Sequence, residues 1–558
     1  MAEATVYEPV RSSAESSRSS LSEHTLASFD DFSNEVDDGE YLTARSFDDE
    51  AGSAPADGFD DGGKGKLGIT SAVFLILNKM IGTGIFSTPS GVLLNCGSAG
   101  ASVLMWLAGG VLSMTGMSVF LEFGLAIPKS GGEKNYLERV YRRPRLLITC
   151  VFFSQMILLG FSASNCLAFG RYVLFAAGAD EPSETIARAV AVSCISVVVL
   201  VQSLRPNLGT RLFNVLGMFK VVVLAFIVCT GMAAVLGLVP HDGDVNSWSD
   251  VFADSGFASD GFAASGTSVG YATALMRVVY SYRGWENANY VVSELRDPRR
   301  TLAVAAPLAI VGVTVLYVLA NVAYLAVIPR QEIARSGVIV AGLFFRRVFG
   351  ASAGARVLPF LVALSNLGNV LVVSYAHARV NHEFASEGLL PRQWANWKLV
   401  ASDVNVPVMG LGLHWLITVI VLTAPPSGEA YEFIIDLNTY PAAWMNMLVA
   451  SGLVYLQHRK AEHWRSPFRS LLPVTVTYIA SNVFLMVTPL VMNGGTSGNA
   501  AVTAAAGMSC LGMGVVYWAI WSRLLPWIGS YDIVAARTDT GGVRYVKVKR
   551  GQEGSIEA

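Results

Sequence analysis

Charge is what this 558-residue sequence has least of: Asp, Glu, Lys and Arg together make up 15% of it, against about 25% in a soluble domain. Apolar residues make up 53%, and the mean hydropathy is +0.47. That balance excludes an ordinary soluble fold and points to a chain that crosses a membrane many times. The basic residues are dispersed over short loops, so there is no patch for nucleic acid. Cysteine is also scarce. Cys96, Cys150, Cys166, Cys194, Cys229 and Cys510 form no CxxC pair, and all but Cys96 sit in apolar runs, where thiols act as small buried hydrophobes. No metal site or cofactor is indicated. The histidines are not clustered and no HExxH occurs; His377 and His382 share one run but are five apart, off helical register. A membrane enzyme therefore finds no constellation to support it.

The start of the chain lacks apolar residues. Met1 to Lys66 is rich in Ser, Asp and Glu, with Asp30-Asp31, Asp37-Asp38-Gly39-Glu40 and Asp48-Asp49-Glu50. Such a segment cannot bury enough apolar surface to offset chain ordering, and it has no basic start and apolar core to make a signal peptide. It reads as a disordered acidic tail, either simply solvated or a docking surface for cytoplasmic regulators such as a ubiquitin-ligase adaptor.

Long apolar runs fill the rest. A bilayer takes roughly 20 apolar residues per helix, and runs of that kind are expected at 69–94, 99–127, 146–176, 186–201, 212–239 and 271–292, then at 302–328, 357–384, 407–423, 432–456, 472–492 and 501–527. Val338 to Phe349 is too short to cross and is expected to form an external helical loop. Two runs are interrupted. The first carries Gly82-Thr83-Gly84 at its centre and Pro89 beyond it; the sixth carries Tyr280-Ser281-Tyr282-Arg283-Gly284-Trp285-Glu286-Asn287. Glycines disfavour a continuous helix, and broken helices survive in lipid only where they line a cavity or lie inside protein. Small residues also let two helices touch, so a tight contact is the other reading of Gly82 and Gly84. Interruptions at corresponding positions of two halves mark an inverted repeat. The expectation is an all-α polytopic membrane protein of about twelve transmembrane helices, a 5+5 inverted repeat with discontinuous first and sixth helices plus two extra helices. The domains are then 1–66 tail, 67–528 transmembrane unit and 529–558 C-terminal tail.

Basic residues occupy alternate connections, such as Lys129 to Arg145, Arg205 with Arg211, Arg296 to Arg300, and Arg459 to Arg469. The positive-inside rule then places both termini in the cytoplasm, although Arg330, Arg335, Arg346, Arg347 and Arg356 fall outside.

Asn78-Lys79-Met80-Ile81-Gly82-Thr83-Gly84-Ile85-Phe86 with Thr88-Pro89 resembles the first helix of L-type amino acid transporters, within the amino acid–polyamine–organocation superfamily. Ala126 to Glu138 (AIPKSGGEKNYLE), Asn287 to Pro298 (NANYVVSELRDP) and Gly388-Leu389-Leu390-Pro391 resemble fungal methionine permeases. The resemblance covers about Lys66 to Trp527. It implies plasma-membrane uptake of L-amino acids by alternating access, methionine being the first candidate; an amino-acid-sensing receptor of the same fold, or a permease for a charged or polar amino acid, are the alternatives.

The resemblance also implies a site. The substrate carboxylate would meet the N–H groups of Thr83, Gly84 and Ile85, and its ammonium the carbonyls near Ile81 and Gly82 and around Tyr280 to Arg283. Trp285 would close over the substrate, and Tyr280 and Tyr282 would line a side-chain pocket unless they merely pack between helices. Gly84 is expected to leave room for the carboxylate. Arg283 and Glu286 depart from the family pattern: they either neutralise each other across the Gly284 turn, or one of them selects a polar substrate. Lys220 would stand where sodium-coupled relatives hold a cation, or snorkel to an interface. Glu122 and Asn165 are expected to make interhelical hydrogen bonds. The external loop at 178–185 has no cysteine, so no disulfide-linked heavy chain is expected.

Overall fold

The structure, a computed structural model, describes residues 68–128, 132–179, 183–238, 256, 265–290, 295, 297–350, 353–391, 394, 407–425, 430–491, 499–537 and 543–550. The expectations for the acidic tail lie outside the described residues.

Helices fill the span positions. The first span is α1 (Ile69–Met80), α2 (Thr83–Ser87) and α3 (Pro89–Cys96); α4 (Ala99–Ala126) is the second. A short α5 (Glu133–Val140) follows, then the third span as α6 (Leu147–Leu158) and α7 (Ala163–Ala176), the fourth as α8 (Glu184–Leu204) and the fifth as α9 (Pro206–Val235). The sixth begins with α10 (Ser268–Ser281) and passes into a 3-10 turn, Trp285–Tyr290. Next come α11 (Pro298–Val327), the short helices α12 (Arg330–Arg335) and α13 (Val340–Phe349), and α14 (Ala353–Ser386), α15 (Val408–Thr423), α16 (Ala430–His458), α17 (Leu472–Val491) and α18 (Asn499–Ala519). A π turn at Ile520–Leu524 leads through α19 (Leu525–Gly529) to β1 (Tyr531–Arg537) and β2 (Val543–Lys549). Among the described residues, seven helices are long and apolar enough to cross a bilayer unaided, and the first span adds an eighth bent by 57°. Leu104, Leu107, Val111, Leu308 and Val311 point outward, as lipid-facing residues do.

The two interruptions fall where the sequence puts them, in the first helix of each set of five. A GxSxG spacing that the sequence reading did not pick out, Gly266 to Gly270, lies at a helix start: Thr267 caps α10 by accepting from the Gly270 N–H at 3.2 Å. Packing sorts the spans. The first, second, sixth and seventh lie against one another, and the third, fourth, eighth and ninth form a second group, with α16 touching both.

Three elements differ from expectation. The third span is broken at 159–162. Its loosened backbone is held by neighbours: the Leu159 carbonyl accepts from Asn438 Nδ2 at 2.9 Å, and the Ser162 N–H donates to Thr418 at 3.3 Å. The loop after α4 folds into α5, tied down where Lys134 meets Glu387 and where Arg139 meets Glu462 at 2.8 Å. Burial opposes the Lys134 charge, but Glu138 and Glu387 outweigh it and hold that ammonium above its ordinary range. The C-terminal tail contains an antiparallel hairpin, β1 with β2. It docks on the end of α14, where the Tyr545 N–H donates to the Glu387 carbonyl at 2.8 Å.

Candidate functional site

α1 ends at Met80, Ile81 leaves the helix, and Gly82 is extended at φ −137° and ψ −150°. α2 then starts at Thr83. The first amides of a helix have no partner within it, and those of Thr83, Gly84 and Ile85 carry no hydrogen bond among the described residues. The region is enclosed, with Ile81 and Ile85 wholly buried and Thr83 almost so. Unpaired N–H groups at a helix start are the kind of donor that can receive an anion.

The sixth span breaks beside it. α10 stops at Ser281, and Gly284 turns the chain at φ +122°, a conformation that favours glycine. A side chain there would also collide with Lys79, whose Cγ lies 2.7 Å from where a Cβ would stand. Tyr317 of α11 joins the breaks: its hydroxyl is 2.8 Å from the Met80 carbonyl and 3.2 Å from that of Ser281. A hydroxyl has one proton to give, so the two carbonyls share it.

Lys220 is fully buried and does not snorkel. Its ammonium donates to the Asn78 carbonyl and to Asn369 Oδ1, and Asn369 Nδ2 reaches the Ile81 carbonyl at 3.4 Å. Lys220 thus ties α9 and α14 to the end of α1. Asn165 joins the same network, accepting from Asn369 Nδ2 at 3.4 Å. Glu122 is satisfied threefold: Trp464 Nε1 at 2.9 Å, Gln457 Nε2 at 2.7 Å and the Ser470 N–H at 2.7 Å all donate to its carboxyl oxygens.

The structure gathers Ile81 to Ile85, Tyr280, Ser281, Arg283 and Gly284 around one place. Tyr280 donates to Ser164 at 2.6 Å and lies 3.5 Å from Thr83 Oγ1, so it faces the first break. Two aromatics have other neighbours. Tyr282 points away, fully buried between Trp106 and Tyr317, its hydroxyl 3.0 Å from the Trp106 carbonyl. Trp285 lies beyond the Gly284 turn and packs edge-on to Phe120 at 5.0 Å, next to Gly116 and Tyr478.

Gly84 takes the close-contact reading. A Cβ on it would sit 2.6 Å from Ser281 Cα, so it lets the two broken spans touch, and Thr88 bonds Ser281 across the same contact at 2.9 Å. The expected Arg283–Glu286 clamp is replaced by other partners. Arg283 donates to the Asn438 carbonyl at 3.2 Å and to its Oδ1, while Glu286 accepts from the Gly284 N–H at 2.9 Å.

Several residues of the site were not singled out from the sequence: Tyr317, Asn369, Asn438, Ser164 and Lys79. Ser365, Asn366 and Asn369, all buried on α14, were the available signal, as polar residues in an apolar run. Tyr317 gave none, because a tyrosine in a span reads as packing.

A family profile described as amino acid permease matches residues 67–523. The chain is 34% identical over 497 residues to the high-affinity methionine permease of Saccharomyces cerevisiae, covering 88% of this chain and 84% of that one. It is 34% identical over 397 residues to the low-affinity methionine permease of the same yeast, covering 69% of each. With the b(0,+)-type amino acid transporter 1 of Mus musculus it shares 28% over 438 residues, 76% of this chain and 82% of the other.

Proposed function

The chain belongs to the amino acid permease family, and from that premise we propose that it carries L-amino acids across the plasma membrane by alternating access, with methionine as its first substrate. The observation that carries this reading is the set of three unpaired amides at Thr83, Gly84 and Ile85, set in a buried break against a second break. They would hold the substrate carboxylate, while carbonyls of the two breaks receive its ammonium. Tyr280 and Ser164 would border the side-chain end. The substrate is bound and released unchanged, so no enzymatic step is needed.

Tyr280–Ser164 and Arg283–Asn438 join the sixth span to the third and tenth. Rocking one group of spans against the other would make and break such contacts around a fixed site. Both termini would be cytoplasmic, and the acidic tail at 1–66 would offer a docking surface to a ubiquitin-ligase adaptor. The test is flux of a labelled amino acid panel into vesicles containing the purified protein. Saturable, counterflow-stimulated methionine entry is expected. Binding without entry would favour a receptor, and entry of charged amino acids alone would favour a selectivity charge.

A further inference from the structure

The segment between α16 and α17 wraps the last turns of α4 with its side chains sorted by direction. Trp464 Nε1 and the Ser470 N–H donate to the Glu122 carboxylate at 2.9 and 2.7 Å, and Ser466 Oγ donates to the Glu122 carbonyl at 2.9 Å. Ser118 adds a bond to Ser470 Oγ at 3.0 Å, and the Trp464 ring packs on Phe123 with centroids 5.4 Å apart. These residues turn inward and are anchored. Those between and just after them turn outward: Arg465, Phe468, Arg469, Leu471 and Leu472 are all exposed. The anchoring on α4 holds them there.

The outward face is basic as well as apolar. Arg459 and Lys460 precede it, both exposed. Glu462 is the one carboxylate between 459 and 472, and it is taken by Arg139 at 2.8 Å and Arg142 at 3.2 Å. Lys460, Arg465 and Arg469 form no ion pair among the described residues. The helices on either side give the level of the strip in the membrane. α16 ends at His458 and α17 begins at Leu472, with Tyr455 exposed near the end of the first and Val476 exposed near the start of the second. Arg459 lies over the Tyr455 ring at 5.4 Å. Aromatic residues gather at the boundary between hydrocarbon and headgroups. Arg465 and Arg469 therefore stand at headgroup height, next to apolar residues that face hydrocarbon.

We propose that this strip docks an anionic phospholipid, its headgroup held by Arg465 and Arg469 with Lys460 alongside, and its acyl chains laid against Phe468, Leu471 and Leu472. A soluble anion or an acidic peptide would engage the cations and leave the apolar residues in water. A lipid answers both in one molecule, and a guanidinium can give a phosphate two parallel hydrogen bonds. On the positive-inside reading the strip faces the inner leaflet, whose lipids carry the negative surface charge.

The test is retention of labelled phosphatidylserine or phosphatidylcholine, with identical chains, by the purified full-length protein in detergent. Each basic residue near an anionic surface contributes about fivefold, so the tightest site is expected to prefer phosphatidylserine by at least about twentyfold. Arg465→Gln combined with Arg469→Gln is expected to lose that preference while melting as the wild type does; Phe468→Ser should weaken both lipids alike. A wild type without the preference, or a double variant that keeps it, would overturn the proposal. Should the double variant not fold, the wild type at about 1 M salt decides, because the Debye length there is about 3 Å; a preference that survives overturns the proposal. Equal competition by glycerophosphoserine or inorganic phosphate would make the strip a site for soluble anions instead. Zero-length cross-links from Lys460 to carboxylates of residues 1–66 would give it to the acidic tail.

Discussion

Gly84 and Ser281 touch across the two broken spans so closely that a methyl group on Gly84 would stand 2.6 Å from Ser281 Cα. Backbone lies on the far side of that contact, and it cannot give way as a flexible side chain would. Gly84→Ala is therefore expected to destabilise the detergent-purified protein by about 1–3 kcal/mol, the usual cost of overpacking. Gly84→Val should fail to yield monodisperse protein. Thermal melting with size-exclusion checks both, and an alanine variant that melts with the wild type would show that the spans are not held this close.

Arg283 and Glu286 are neighbours in sequence with separate partners, and a double-mutant cycle on thermal stability distinguishes this from a clamp. Coupling of about 1–3 kcal/mol is expected between Arg283→Ala and Asn438→Ala, whereas Arg283→Ala and Glu286→Ala should add within about 0.5 kcal/mol. The reverse ranking would restore the clamp.

Lys220 gives its protons to Asn78 and Asn369 at the end of α1. Removing it leaves two buried acceptors unpaired, at about 1–3 kcal/mol each. Lys220→Met should lower apparent methionine affinity at least about tenfold in a thermal-shift titration, because the first break loses its tether. Unchanged affinity would make Lys220 a bystander to the site.

Glu122 fastens the end of α16 and the loop at 459–470 onto α4 through three donors, Gln457 from the helix and Trp464 and Ser470 from the loop. Glu122→Gln points an NH2 group at one of those donors, and loss of a charge-assisted bond costs about 1.5–3 kcal/mol. A clear fall in melting temperature is expected with methionine affinity retained. A melt unchanged from wild type would deny Glu122 its fastening role.

The two interrupted spans were legible because glycines and polar residues inside apolar runs conflict with a membrane helix, and the conflict is local in sequence. Lys220 stood out for the same reason. The break at 159–162 was not legible, since Leu159-Gly160-Phe161-Ser162 stays apolar enough to pass for helix; its carbonyls are satisfied by Asn438 and His414, more than 250 residues away in sequence. Side-chain direction was equally hidden. Tyr280 and Tyr282 are two apart and both aromatic, yet the backbone turn sends one towards Thr83 and the other into the Trp106–Tyr317 stack. The C-terminal hairpin was passed over because Val543 to Lys549 is short and rich in charge beside a polar stretch that reads as tail. Gly84 shows a further limit: glycine in a span can mean an unwound turn or a close approach, and here the turn is at Gly82 and the approach at Gly84.

The central claim is that the amides of Thr83, Gly84 and Ile85 hold a substrate carboxylate, and competition in the vesicle counterflow assay tests it most directly. Labelled L-methionine is exchanged against unlabelled L-methionine, its methyl ester and its N-acetyl derivative. The account predicts that methionine is exchanged and competes, and that the ester, lacking the carboxylate charge, is weaker by at least about a hundredfold, since two charge-assisted hydrogen bonds are worth about 1.5–3 kcal/mol each. An ester that competes as well as the free acid would contradict the assignment of these amides.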